Sequence, residues 1–307
     1  MIGATSEDEA AVRPPRRSSA ATGWSVGGVL VQLVIVVAAL AAVAPFLYMV
    51  TTAFKTYAAV INNVLWPWPP FGNEWPQFGN FREAIVTVGN DNQWGIPLFF
   101  RYLANSIIMT GSIVVGSLIT STLAAYALGR MELPGKQALF VLVLITMMMP
   151  EDLTLVPKLV MMFNLRWYNT YLALIVPSLV SVFSIFMLRQ FFMQIPKDLF
   201  EAAMLDGMGH LRFLVSIVVP LSKPALLTVG LLNFIWAWDS FKWPLLVTRD
   251  SSMRVLAVGL QQFMQGQGTQ VHLLMAFAAM VIVPVLILYF VAQKQFREGI
   301  LNAGLKG

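Results

Sequence analysis

Long apolar stretches and short polar interruptions alternate along the chain. No charged residue occurs from Ser18 to Phe54, from Tyr102 to Gly129, or from Val255 to Gln293. A helix rises 1.5 Å per residue, so about 20 apolar residues cross the hydrocarbon core of a bilayer. By that measure six spans are expected, near 27–50, 102–128, 138–160, 170–192, 224–246 and 272–293. The third carries Glu151 and Asp152 within it. The expected fold is an all-α integral membrane protein of about six transmembrane helices. The expected parts are a polar tail at 1–26, a first helix with a long external loop at 27–101, a helical core at 102–293, and a second tail at 294–307.

Composition supports this reading. Hydrophobic residues make up 58% of the 307 residues and charged residues 11%, against roughly 25% charged in soluble domains. The uncharged run after Ser18 is longer than the apolar core of a signal peptide, which favours a retained helix. The formal charge of +5 does not point to nucleic acid, because the basic residues sit singly between apolar runs and form no stripe. Their placement bears on orientation instead. With the N-terminus in the cytoplasm, twelve basic residues fall inside (Arg13, Arg16, Arg17, Arg130, Lys136, Arg189, Lys197, Arg212, Lys223, Lys294, Arg297 and Lys306). Eight fall outside (Lys55, Arg82, Arg101, Lys158, Arg166, Lys242, Arg249 and Arg254). The difference is modest and in the direction of the positive-inside rule.

The chemistry available is narrow. There is no cysteine, so disulfides, thiol catalysis and thiolate metal sites are excluded. His210 and His272 are far apart in sequence, no catalytic or metal-ligating constellation forms around either, and no Gly-rich phosphate loop of the Walker type occurs. The outer segment 51–101 holds Trp66, Trp68, Trp75 and Trp94 among Pro67, Pro69, Pro70 and Pro76. Two readings stand: an aromatic belt at the lipid interface, or a preset surface for an external partner.

Residues 195–221, between the fourth and fifth spans, are neither spanning nor simply polar. Asp198 and Glu201 have the spacing of a capping box, and Leu199, Phe200, Ala203 and Met204 have helical apolar spacing. Gly207 suits a left-handed stop. A second short helix follows, with Leu211, Leu214, Ile217 and Val218 expected on one face, and Pro220 and Pro224 mark the entry to the fifth span. The result is a helix-turn-helix elbow, which by itself could be an interfacial linker.

Glu201-Ala202-Ala203 with Gly207, Ile217 and Pro220 resembles the EAA motif of binding-protein-dependent ABC importers, with Val219 where that family usually has Leu. The ending Gly299-Ile300-Leu301-Asn302-Ala303-Gly304-Leu305-Lys306-Gly307 is similar to the tail of one maltose-type sugar permease. Asn105-Ser106, the run Ala124 to Arg130, and Leu256 to Leu260 agree with the same subfamily. The resemblance implies a prokaryotic cell-membrane protein with both termini cytoplasmic, forming half of a sugar pathway. It implies that Glu201, Ala202, Ala203, Asp206 and Gly207 couple to an ATPase subunit, and that Lys306 and Gly307 reach the ATPase dimer. It further implies a second homologous permease, two ATPase domains carrying ATP and Mg2+, an extracytoplasmic solute-binding protein and no cofactor on this chain.

Polar groups inside spans usually face a cavity or a partner. Glu151, Asp152, Asn233, Trp236, Trp238 and Asp239 are therefore the expected pathway residues, with aromatic faces for sugar C–H groups and amides or carboxylates for hydroxyls. Packing in lipid is the plainer alternative for the tryptophans, and an outer mouth for the two acids. In the maltose-type importer the other permease holds the sugar. Other functions were weighed too: an importer of a polyol or glycerol phosphate, an ion-coupled secondary transporter, which calls for broken ion-coordinating helices and repeats, and a membrane enzyme or scaffold, which calls for a catalytic cluster.

Overall fold

A computed structural model describes residues 26–69, 72–91, 95–264 and 270–304. Regular structure among these residues is helical, apart from one bridge between Asn90 and Pro97. The chain divides into two units, residues 1–47 and 48–307. The described part of the first unit is the beginning of α1 (Val26–Ala53), whose side chains from Val29 to Leu47 are exposed and, apart from Gln32, apolar.

In the second unit α1 ends and is followed by α2 (Tyr57–Ile61), α3 (Gly79–Thr87) and the long α4 (Leu98–Arg130). Three helices are unbroken candidate spans: Gly27–Ala53, Leu98–Arg130 and Val271–Val291. The other three expected spans are divided. The third is not one helix but α5 (Lys136–Met147) and α6 (Glu151–Asn164), bent by 95°. Pro150 stands at the break; it lacks an N–H and disfavours helical geometry in the residue before it. The fourth consists of α7 (Tyr171–Ile175) with a 3₁₀ turn to Ser178, then α8 (Val182–Gln194), at 40°. Ser181 caps α8 by accepting from the Ser184 N–H at 3.2 Å.

Between α8 and the next span lie α9 (Lys197–Leu205), α10 (His210–Phe213), a π turn over Leu214–Val218 and α11 (Val219–Leu221). The fifth span, α12 (Lys223–Trp238), meets this segment at 82° and stops eight residues before the expected Leu246. α13 (Lys242–Val247) is a separate short helix containing Pro244, which has no N–H for the carbonyl of Ser240. α14 (Leu256–Gly259) leads to α15 (Val271–Gly304), which continues past the expected end of the sixth span.

α4 is the centre of packing. Near its start Asn105 donates to the Ser252 and Arg254 carbonyls, both at 2.8 Å, and accepts from the Tyr171 hydroxyl at 2.5 Å. Ser106 accepts from the Leu256 N–H at 2.9 Å. This pair therefore staples the chain before α14 to α4. Beside it Gly259 lets two rings close in: a Cβ there would lie 2.8 Å from Tyr102 and 3.1 Å from Phe277. Gly259→Ala is expected to cost about 1–3 kcal/mol through overpacking, seen as a lower melting temperature of the purified protein.

Candidate functional site

The elbow has one packed face and one bare face. Phe200, Ala203, Met204, Met208, Phe213, Leu214, Ile217 and Val218 join Ala125 and Tyr126 of α4 and Leu188 and Phe192 of α8 in one apolar cluster. Glu201, Ala202, Asp206 and Gly207 are exposed, and Leu199, Leu205 and Leu211 are 43%, 89% and 70% exposed. Leu211 thus departs from the expected shared face with Leu214 and Val218. Glu201 makes no side-chain hydrogen bond or ion pair among the described residues.

The start of α9 also differs from expectation. Pro196 occupies the N-cap and no side chain caps the helix, so Asp198 and Glu201 do not form a capping box. Asp198 instead sits in the first turn, where a carboxylate meets the positive end of the helix dipole. The end follows the expected stop. Gly207 has φ +75°, its N–H donates to the Met204 carbonyl at 3.0 Å, and the Met208 N–H donates to the Ala203 carbonyl at 2.9 Å. These two bonds are the Schellman pattern.

Two arginines tie the elbow's root to the bundle. Arg130, the last residue of α4, donates from Nε to the Phe192 carbonyl at 2.8 Å and from Nη2 to the Phe192 and Ile195 carbonyls. These are carbonyls at the C-terminal end of α8, where the helix supplies few donors; that of Phe192 also accepts from the Ile195 N–H at 3.3 Å. Arg189 of α8 reciprocates: its Nε donates to the Leu128 carbonyl near the end of α4 at 3.2 Å, and its guanidinium lies 3.9 Å from the centre of the Phe140 ring. On the second limb His210 Nδ1 is 3.0 Å from the Tyr126 hydroxyl. In the sequence Arg189 serves only as an orientation marker and Arg130 as that and as the end of the landmark run from Ala124; a basic residue at the end of a predicted helix is the signal for the clamp.

Farther along the bundle two cavities of about 460 and 580 Å³ share Glu151 and Trp236 in their walls. Asn233 and Lys158 line the first, and Asp152, Asp239 and Lys242 the second. The bend at Pro150 is what brings the two acids at the start of α6 to this cleft. Asp152 accepts from Lys242 Nζ at 3.0 Å, with both side chains exposed. Trp236 is 49% exposed and presents its ring to the cleft region. Trp238 is buried; it donates to the Val281 carbonyl at 3.1 Å and stacks on Phe234, so its ring joins α12 to α15. Trp243 is likewise buried and donates to the Ala173 carbonyl at 2.9 Å.

Asn233 both borders the cleft and bridges three helices. It donates to Ser117 Oγ at 3.2 Å and accepts from Ser184 Oγ at 3.1 Å. Asn233→Ala is expected to lower stability by about 1 kcal/mol, the scale of an interhelical hydrogen bond in a membrane protein, read by thermal or denaturant unfolding in detergent. Lys306 and Gly307 lie outside the described residues, as does Trp94. No group of His, Cys, Asp and Glu that could hold a metal ion occurs among the described residues.

The sequence pattern of the family described as binding-protein-dependent transport system inner membrane component matches residues 121–301. The arabinooligosaccharides transport system permease protein AraQ of Halalkalibacterium halodurans is 34% identical over 210 residues, covering 68% of this chain and 75% of that one. The sn-glycerol-3-phosphate transport system permease protein UgpE of Yersinia enterocolitica is 33% identical over 219 residues, covering 70% and 76%. A chain in the crystal structure of a bacterial ABC transporter involved in the import of the acidic polysaccharide alginate superposes with a TM-score of 0.76 at 25% identity, over 88% of this chain and 96% of that one. The match begins four residues before Ala125 and runs through the elbow, the cleft helix α12 and most of α15. This chain belongs to the family of inner-membrane permease components of binding-protein-dependent ABC transporters.

Proposed function

We propose that this chain is one of two permease subunits of an ATP-driven importer for a sugar or oligosaccharide. The observation that carries the reading is the elbow: it is packed against the ends of α4 and α8 on one face and bare on the other, over Leu199, Glu201, Ala202 and Leu205. That bare face suits insertion into an ATPase subunit, which binds the ATP and Mg2+. Ala202 permits close approach, Gly207 makes the turn, and Glu201 is free to accept from the partner. Lys306 and Gly307 would extend the same contact. Closing of the ATPases would then drive the elbow and switch the cleft between inward- and outward-facing states. Both termini lie in the cytoplasm of a prokaryotic cell in this reading.

The cleft containing Glu151, Asp152, Asn233, Trp236 and Asp239 would line this subunit's half of the path, with Trp238 holding the wall behind it. Trp236 offers an accessible ring for a sugar face. On the outer side Trp75 and Phe78 are 75% and 72% exposed, a surface suited to the solute-binding protein. Reconstitution with the partner permease, ATPase and binding protein tests the proposal. Labelled neutral oligosaccharides, a polyol and sn-glycerol-3-phosphate would be offered in turn. ATP-dependent uptake of at least one neutral sugar is expected; equal uptake without ATP would refute the reading.

A further inference from the structure

Lys55 stands two residues beyond the end of α1, yet is only 3% exposed. No carboxylate lies within ion-pair distance among the described residues. Its ammonium has the Tyr48 ring at 5.4 Å. Beside it the Thr52 hydroxyl is fully buried and has no hydrogen-bond partner. Glu74 accepts from the hydroxyl of Thr56, the residue next to Lys55, at 2.9 Å. Lys55 and Thr52 both line a recess of about 50 Å³, closed by Tyr48, Asn63 and Val64. Burying a cation without a counter-charge is costly, and here desolvation lowers the pKa of Lys55. Two donor-bearing residues thus line one small recess, and no carboxylate among the described residues pairs with the cation.

We propose that this recess binds a single phosphate group, through the Lys55 ammonium and the Thr52 hydroxyl. Its place gives the group a source. Lys55 follows an uncharged run of apolar helix, Gly27–Ala53, and so stands where a bilayer's headgroups begin. Tyr48 and Trp66, 49% and 45% exposed, are residues of the kind that mark that level. A phospholipid headgroup can supply the phosphate there, and so can free phosphate from solution.

The test uses the full-length chain, assembled with its partner subunits, in nanodiscs. One lipid composition is phosphatidylglycerol, and another is a phosphate-free glucosyl diacylglycerol. The readout is the rate at which an amine-acylating reagent modifies Lys55, measured by peptide mass spectrometry. Phosphatidylglycerol should slow the modification about tenfold, the value of one charge-assisted hydrogen bond. Inorganic phosphate titrated into the glucosyl-lipid discs separates the sources: saturable protection shows a site open to free phosphate, and protection only by the phospholipid shows a lipid site. Thr52→Val should weaken protection, and Lys55→Arg should keep the phospholipid-dependent rise in melting temperature that Lys55→Met loses. Equal Lys55 modification in both lipids, with no response to phosphate, would overturn the proposal and leave a recess holding water alone.

Discussion

Arg130→Ala should leave ATP hydrolysis by the assembled transporter largely intact while reducing substrate moved per ATP by at least about tenfold. The guanidinium satisfies the Phe192 and Ile195 carbonyls, and Ile195 immediately precedes the Pro196 that opens the elbow. Without it the Ile195 carbonyl loses its side-chain donor, at about 1–3 kcal/mol, and the Phe192 carbonyl keeps only the 3.3 Å bond from the Ile195 N–H, enough to loosen the end of α8 against α4. A force applied to α9 would then reach α4, the helix against which α8 and α12 both pack, only through the softer apolar contacts with Ala125 and Tyr126 and through Arg189. Arg130→Lys should restore only part of the coupling, because an ammonium lacks the planar fork that spans both acceptors. The ratio of transport to hydrolysis in proteoliposomes is the deciding measurement. A wild-type ratio in Arg130→Ala would show that the clamp plays no part in transmission.

The second large effect is expected at Gly207. A valine there would not collide with anything, since no atom lies within 4 Å of the Cβ position. It would have to hold φ near +75°, a conformation that is a genuine outlier for a β-branched residue and costs about 1–2 kcal/mol. Relief by rotation breaks the bonds to Met204 and Ala203 and swings the second limb, with His210 and Phe213, away from Phe200 and Tyr126. Gly207→Val is therefore expected to uncouple hydrolysis from transport, and Gly207→Asn, whose residue type tolerates the left-handed region, to retain most of the coupling. Equal coupling in both variants and wild type would remove the turn from the mechanism.

Both predictions concern the elbow, and the two kinds of information contributed to it differently. Its existence was legible in the chain because Gly207, Pro220 and Pro224 act through backbone geometry, which depends on the residue and its immediate neighbours. The capping box was misread for a related reason. Asp198 and Glu201 have the right spacing, but Pro196 starts the helix two residues earlier than that motif requires and moves Asp198 into the first turn. Leu211 was misplaced because a π turn follows α10 and changes the angular relation of residues across it.

The cleft shows the same division. Run length and lack of charge determined that the chain is a helical membrane protein, since a bilayer sets the length of an apolar helix and admits few charges. Short motifs determined the family, and the comparisons agree. Only the tertiary structure decided that the third span is broken at Pro150, that Glu151 and Trp236 share a cleft, and that Trp238 turns instead to α15. Only it showed Arg130 and Arg189 closing each other's helix ends across 59 positions of sequence. Hydrophobicity and run length report how each segment meets lipid. They carry no information on which side chain from a distant helix meets an unpaired carbonyl, because that pairing is set by the packing of α4 against α8.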